Sequence, residues 1–150
     1  MVDTINAFEK IISGCAQVVP EQELKSKFVS GKKLNIKLGM DPTSPDLHLG
    51  HAVVLKKMRQ FQDMGHNVIF LIGDFTARIG DPSGRSKTRP PLTQVEIEHN
   101  MQTYFTQVGK ILDPERVTIC YNSQWLGSLS SADFLALCAK ATLARIIERE

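Results

Sequence analysis

The sequence predicts an α/β protein: a parallel sheet flanked by helices. Three observations carry that prediction. A strand-like run at Leu34 to Leu38 and the continuous apolar run Asn67-Val68-Ile69-Phe70-Leu71-Ile72-Gly73 bracket an amphipathic stretch with helical spacing. Strand, helix and strand within about forty residues make a βαβ unit, which is almost always right-handed. Two polar, glycine-bearing loops, Gly39 to His51 and Gly73 to Arg89, follow the two strands. Open parallel sheets bind ligands beyond the carboxyl ends of their strands, so these loops are expected to face one another.

The elements follow in order. Asp3 to Ser13 reads as a helix with Phe8, Ile11 and Ile12 on one face and Gly14 as its stop. Glu21 to Val29 reads as a second, with Pro20 at its start and Gly31 beyond its end. Leu34 to Leu38 is a strand closed by Gly39. The loop Met40 to Asp46 is rich in Asp, Pro, Thr and Ser, and Ser44 or Asp46 is expected to cap the next helix. That helix runs to about Asp63, with Val54, Leu55, Met58 and Phe61 on its apolar face and Gly65 as its stop. Thr93-x-x-Glu96 is a capping box before a helix carrying Ile97, Met101, Tyr104, Phe105, Val108 and Leu112. Asp113-Pro114 is a turn, and Val117 to Tyr121 a further strand. Ser130 or Ser131 starts a last helix with Phe134, Leu135, Cys138, Ala141, Ile146 and Ile147 among its apolar positions. The sequence stops inside that helix, which leads to the expectation of a piece of something longer.

At 150 residues, 42% hydrophobic and 23% charged, the composition is that of an ordinary globular domain. A formal net charge of +2 is too small to argue for nucleic acid by itself. Cys15, Cys120 and Cys138 are far apart, with neither zinc-like spacing nor a disulfide framework, so a reducing cytoplasm is expected. No secretory leader and no run long enough to span a bilayer is visible. Cys120, Cys138 and Trp125 read as packing residues, and His66 and His99 as surface residues.

The richest segment is Asp41-Pro42-Thr43-Ser44-Pro45-Asp46-Leu47-His48-Leu49-Gly50-His51. It places two imidazoles three residues apart, around a glycine, at a helix start. A helix start carries N–H groups and positive partial charge, and it attracts anions. Glycine there leaves the backbone open to a ligand. An H-x-x-H pair also arises as two polar residues near a cap, or as part of a metal site. No third ligand stands nearby, and the glycine, the preceding strand and the Asp-Pro-Thr start favour a polyphosphate. In the second loop, Gly73 to Gly84, Asp74 and Asp81 are carboxylates at a strand's end, suited to an ammonium group. Arg78, Arg85, Lys87 and Arg89 form either a solvated basic loop or a phosphate clamp; beside a nucleotide the clamp is favoured. No G-x-x-x-x-G-K-[ST] and no strand-borne G-x-G-x-x-G occurs, which excludes the P-loop and dinucleotide fingerprints.

Leu38 to His51 resembles the signature of class I aminoacyl-tRNA synthetases. Together with Phe70-Leu71-Ile72-Gly73-Asp74-Phe75-Thr76 and Ile79-Gly80-Asp81-Pro82-Ser83-Gly84, it resembles the bacterial tyrosyl-tRNA synthetase family. Similarity continues through Thr88 to Thr93, Lys110 to Glu115 and Ala144 to Arg149. The resemblance implies a Rossmann-like catalytic domain that activates L-tyrosine with ATP to tyrosyl-adenylate and passes it to tRNA(Tyr). It implies an ATP site at Asp41, Pro42, Thr43, His48, Gly50, His51 and Val54. It implies a tyrosine site at Lys37, Gly39, Asp41, Asp74, Thr76 and Asp81, with Asp81 on the substrate ammonium. His48, His51, Arg85 and Arg89 are implied as the catalytic set, the arginines steadying pyrophosphate. Arg85 stands where the family often has lysine, and Lys37 where many members carry a tyrosine that touches the substrate phenol. ATP would enter with Mg²⁺, without a tightly bound cofactor or a protein metal site. A cytoplasmic homodimer is implied.

By the same resemblance, residues 1–32 are an N-terminal helical segment. Residues 33–150 are the first part of the catalytic domain with the start of its connective, dimer-forming insertion, lacking the family's K-M-S-K-S loop and tRNA-binding C-terminal region. The rival readings are a close relative, such as a tryptophanyl-tRNA synthetase or a pantothenate-synthetase-like ligase, and a non-catalytic RNA-binding or regulatory protein derived from a synthetase. Asp74 and the Gly-Asp-Pro-Ser-Gly loop argue against the first; intact His48, His51 and Asp81 argue against the second.

Overall fold

Three parallel strands form the centre of the computed structural model, which describes residues 2–79, 92–142 and 144–145, with side chains from residue 6 onward. The elements in chain order are α1 (Val2–Ile12), α2 (Glu21–Val29), β1 (Asn35–Met40), α3 (Leu49–Asp63), β2 (Asn67–Ile72), α4 (Thr76–Ile79), α5 (Gln94–Val108), a 3₁₀ turn (Pro114–Arg116), β3 (Val117–Tyr121), α6 (Ser123–Leu126) and α7 (Ser131–Cys138). The spatial order is β1-β2-β3, with Leu38 opposite Phe70 and Phe70 opposite Ile119. α3 lies in the first crossover; α4 and α5 are the described helices of the second. A strand order that never reverses places two right-handed crossovers on the same face.

That face is the core. Val68, Phe70 and Ile72 of β2 are buried against Leu55 and Met58 of α3 and Tyr104, Val108 and Leu112 around α5. Ile36, Leu38 and Met40 of β1 extend the same layer, as alternation along a strand requires. The other face carries Lys37, Gly39, Ile69, Leu71, Thr118 and Cys120, whose registers bring them side by side. None of these six is fully buried.

A second cluster sits on the far side of α3, where Phe8 and Ile11 of α1, Phe28 of α2 and Phe61 of α3 pack together. Lys57 ties α1 to α3 by donating to the carbonyls of Ile11 and Ser13, both at 2.8 Å, at the helix's negative end. Buried Gln62 pairs both ways with the turn before β3. Its Nε2 donates to Asp113 O at 3.1 Å and its Oε1 accepts from Asp113 N at 2.8 Å.

Several expectations shift. β1 runs through Gly39 to Met40 rather than closing before it. Neither Ser44 nor Asp46 caps α3; His48 does. Val54 is 41% exposed, because Leu55, Met58, Phe61 and Gln62 set the buried face. α7 ends at Cys138 rather than running on through Ala141, residues 144–145 are helical again, and Ile146 and Ile147 lie outside the described residues; Phe134, Leu135, Leu137 and Cys138 are exposed, since nothing among the described residues packs on them. Trp125 is 47% exposed. The segment 76–79 and the segment 123–126, which carried no helix in the sequence reading, are single helical turns. Asp81, Arg85, Lys87 and Arg89 lie outside the described residues. Among the described residues no helix is long and apolar enough to cross a membrane.

His66 is not a simple surface residue. Its ring lies 5.3 Å from that of Phe28 and 5.9 Å from that of Phe61, and its Nδ1 accepts the Leu34 N–H at 3.3 Å. Burial holds its pKa below the ordinary histidine value, with Lys33 adding like-charge repulsion. The folded chain therefore takes up this proton less readily than the unfolded chain. The stabilisation is complete above the unfolded value of about 6.5 and is lost as pH falls from there through the folded value. The urea midpoint is expected to fall between pH 7.5 and pH 5, and His66→Gln to flatten that slope. Parallel slopes for variant and parent would contradict this role.

Candidate active site at the carboxyl edge of the sheet

The start of α3 is capped by two histidines. The Gly50 N–H donates to Nδ1 of His48 at 3.1 Å, and the His48 N–H donates to Nδ1 of His51 at 3.2 Å. This is a capping box in which imidazoles replace the usual hydroxyl and carboxylate. The rings stack, with centroids 3.9 Å apart and planes 26° from parallel. His51 has its pKa lowered, first by burial and then by the neighbouring His48. In a neutral imidazole one nitrogen accepts and the other donates. Since Nδ1 accepts in both rings, each keeps its proton on Nε2 and offers an N–H donor beyond the cap. A 15-residue helix stands behind them with its positive end at the same place.

Gly50 has a geometric reason beyond leaving its own backbone open. A Cβ there would lie 2.9 Å from Cε1 and 3.1 Å from Nδ1 of His48. The capping ring occupies the space that any side chain would need.

The second part of the site joins three strand ends. Gly73 N–H donates to Met40 O at 2.9 Å, and Asn122 N–H to Ile72 O at 3.0 Å, extending both ladders past the sheet. Asp41 lies against Gly73, where a Cβ would meet its Oδ1 at 1.7 Å. Thr76 Oγ1 donates to that Oδ1 at 2.8 Å, and Asn122 Nδ2 donates to Thr76 Oγ1 at 2.9 Å. Asn122 Oδ1 accepts the Phe75 N–H at 2.9 Å, and Asp74 Oδ1 accepts the Ser123 N–H at 3.0 Å. Asp41, Thr76 and Asn122 thus form one hydrogen-bonded line across the loops after β1, β2 and β3.

The loop 41–47 is held from outside by α5. Asn100 Nδ2 donates to Pro42 O at 2.9 Å, and the Tyr104 hydroxyl to Asp41 O at 3.4 Å. Thr103 Oγ1 and Gln107 Nε2 both donate to Pro45 O, and Gln107 Oε1 accepts the Leu47 N–H at 2.8 Å. These four residues follow an i, i+3, i+4, i+7 stripe, a helical face that grips backbone rather than apolar side chains.

The structure brings His48, Gly50 and His51 together, and Asp41 together with Thr76. Pro42 is buried and Thr43 half-buried behind them. Lys37 and Gly39 lie on the sheet face away from the core, beside Ile69 and Leu71. Val54 is one turn into α3. Asp74 is tied to the start of α6. The sequence reading missed Asn122, whose signal is its place directly after a strand. It also missed Asn100, Thr103 and Gln107, whose signal is their helical spacing with Tyr104. Among the described residues no group of three or more His, Cys, Asp or Glu converges to hold a metal.

A parallel sheet with βαβ crossovers and a polar, helix-capped cleft at its carboxyl edge is part of a Rossmann-like domain. The model of the family "tRNA synthetases class I (W and Y)" matches residues 30–150. The chain belongs to that family. It is 53% identical over 150 residues to the tyrosine–tRNA ligase of Nitratidesulfovibrio vulgaris, covering all of this chain and 38% of that protein. It is 55% identical over 141 residues to the tyrosine–tRNA ligase of Bordetella avium, covering 91% of this chain and 34% of that one. The chain therefore spans little more than a third of the length of these relatives. Among solved structures, the tyrosyl-tRNA synthetase of Archaeoglobus fulgidus, crystallised with L-tyrosine, has the same fold. It superposes with a TM-score of 0.77 at 24% identity over 95% of this chain and 42% of that one. A C-terminally truncated mitochondrial tyrosyl-tRNA synthetase of Aspergillus nidulans gives a TM-score of 0.72 at 21% identity, over 99% and 50%.

Gly50→Ala tests the capping geometry. The added methyl is expected to displace the His48 ring and remove its cap, at a cost of about 1 kcal/mol. Equilibrium unfolding reads the stability and imidazole NMR shifts read the ring. Unchanged His48 resonances in the variant would refute the contact.

Proposed function

We propose that this chain is the ATP- and tyrosine-binding part of a tyrosine–tRNA ligase. In that reading the whole protein joins L-tyrosine to ATP, releasing pyrophosphate, and then transfers tyrosine from the adenylate to tRNA(Tyr). The family match admits tryptophan as well as tyrosine; relatives named tyrosine–tRNA ligase at 51–55% identity favour tyrosine. The observation that carries the chemistry is the capped pair His48 and His51, with two Nε2–H donors at the positive end of α3.

The first step needs no general base. The tyrosine carboxylate is already an anion and attacks the α-phosphorus in line, while the bond to pyrophosphate breaks. What the protein supplies is position and charge stabilisation. His48, Gly50 and His51 would hold phosphate and adenosine, with Asp41, Pro42, Thr43 and Val54 lining the ATP site. Lys37, Gly39, Asp41, Asp74, Thr76 and Asp81 would line the tyrosine site, Asp81 pairing with the ammonium. Arg85 and Arg89 would steady pyrophosphate as it leaves. Mg²⁺ would arrive on ATP, held mainly by phosphates and water.

In the same reading, residues 1–32 form a helical lead and 33–150 open the catalytic domain. The working protein is a cytoplasmic homodimer. Exposed Trp125, Leu129, Phe134, Leu135 and Leu137 around α6 and α7 support a partner surface there.

In a full-length ligase carrying this chain, His48→Ala and His51→Ala are each expected to slow tyrosine-dependent ATP–pyrophosphate exchange by about 2–4 kcal/mol of barrier. Tyrosine affinity should change little. Near-parental exchange in both variants would remove the phosphate assignment. Exchange driven by tryptophan and not tyrosine would replace the substrate.

A further inference from the structure

We infer that Gln107 is a positioning residue for the histidine pair, an inference that rests on the ligase reading above. Its amide brackets the last residues before the cap. Nε2 donates to Pro45 O at 2.9 Å and Oε1 accepts the Leu47 N–H at 2.8 Å. A third contact, Nε2 to Thr103 O at 3.3 Å, fixes the amide to its own helix. Asn100 and Tyr104 hold the loop earlier, at Pro42 and Asp41, and Thr103 holds only Pro45. Among the described residues, Gln107 is the one side chain hydrogen-bonded to the backbone on both sides of Asp46.

The Leu47 side chain packs against the main core, while His48 and Leu49 beyond it are exposed. An open groove of about 540 Å³ runs beside this segment, lined by Leu47, His48, Leu49, Leu55, Gln107 and Lys110 among others. Leu47 packs the side-chain side, and the Gln107 hydrogen bonds set the height of the backbone where the loop enters α3. From Leu47 the constraint passes to the rings. The next residue is the N-cap, its N–H fixes His51 through Nδ1, and its own Nδ1 is fixed by Gly50. A shift of the Leu47 backbone moves both Nε2–H donors together. Gln107 touches no substrate in this scheme; it acts through the cap.

The amide is required in both its halves. A carboxylate at 107 keeps an acceptor for the Leu47 N–H but faces the Pro45 carbonyl with no donor. Protonation of that carboxyl restores one. The test is tyrosine-dependent ATP–pyrophosphate exchange in a full-length ligase carrying this chain, with the thermal midpoint and the active-site concentration of each variant measured alongside. Gln107→Ala is expected to lower kcat about tenfold or more, since small misplacements of reacting groups have effects of that size. The tyrosine KM should stay within about twofold. Gln107→Glu is expected to be impaired at pH 8 and to recover toward the parent as pH falls. Gln102→Ala, on the exposed side of the same helix, is expected to behave as the parent. If Gln107→Ala does not fold, the pH-dependent ratio of Gln107→Glu to parent decides. Parental kcat in Gln107→Ala, a flat ratio for Gln107→Glu, or a rate loss that vanishes when counted per active site each overturns the inference. A parent enzyme without tyrosine-dependent exchange overturns the ligase reading instead.

Discussion

The chain leaves β1 at Met40 and does not enter α3 until Leu49, so the intervening backbone belongs to no ladder and no helix. Buried or half-buried peptide groups must still be paired. The structure pairs them with side chains from a different element. Asn100, Thr103, Tyr104 and Gln107 of α5 take the carbonyls of Asp41, Pro42 and Pro45 and the N–H of Leu47. Because α5 also contributes Tyr104 and Val108 to the main hydrophobic core beside Phe70, the loop is anchored to close-packed side chains. A loop held in this way keeps its own side chains available, and it hands the chain to α3 at a fixed height.

The histidines complete that arrangement by spending only one nitrogen each. Nδ1 closes the helix start, which leaves Nε2–H as the chemical face. Gly50 and Gly73 permit the two close approaches on which the cleft depends, one under the His48 ring and one under the Asp41 carboxylate. The line Asp41–Thr76–Asn122 then fastens three consecutive strand ends to one another. The polar groups at these strand ends satisfy one another across loops distant in sequence.

The sheet and its parallel sense were legible in the sequence, as was the meeting of the first loop with the described start, residues 73–79, of the second, because apolar runs such as Val68 to Ile72 and the spacing of Leu55, Met58 and Phe61 are local signals. The capping box at Thr93 and a helix start at Ser130 or Ser131 were legible for the same reason. The cap at His48 was not. Ser44 and Asp46 are better caps by residue type, and only the path of the loop decides that an imidazole does the work. Asn122 and the α5 stripe were hidden because their partners lie 46 to 63 residues away. The apolar positions of α7 were readable as apolar, but not as exposed, since exposure depends on what packs against them.

The central claim is that both imidazoles accept on Nδ1 and donate from Nε2. Long-range ¹⁵N–¹H NMR of the two rings tests it most directly, first in the free protein and then with a non-hydrolysable ATP analogue. The structure predicts unprotonated Nδ1 and protonated Nε2 in His48 and His51 at pH 7.5, with the Nε2–H signals moving when the nucleotide is added. Protonated Nδ1 in either ring, or a nucleotide that leaves both Nε2–H signals unmoved, would contradict it.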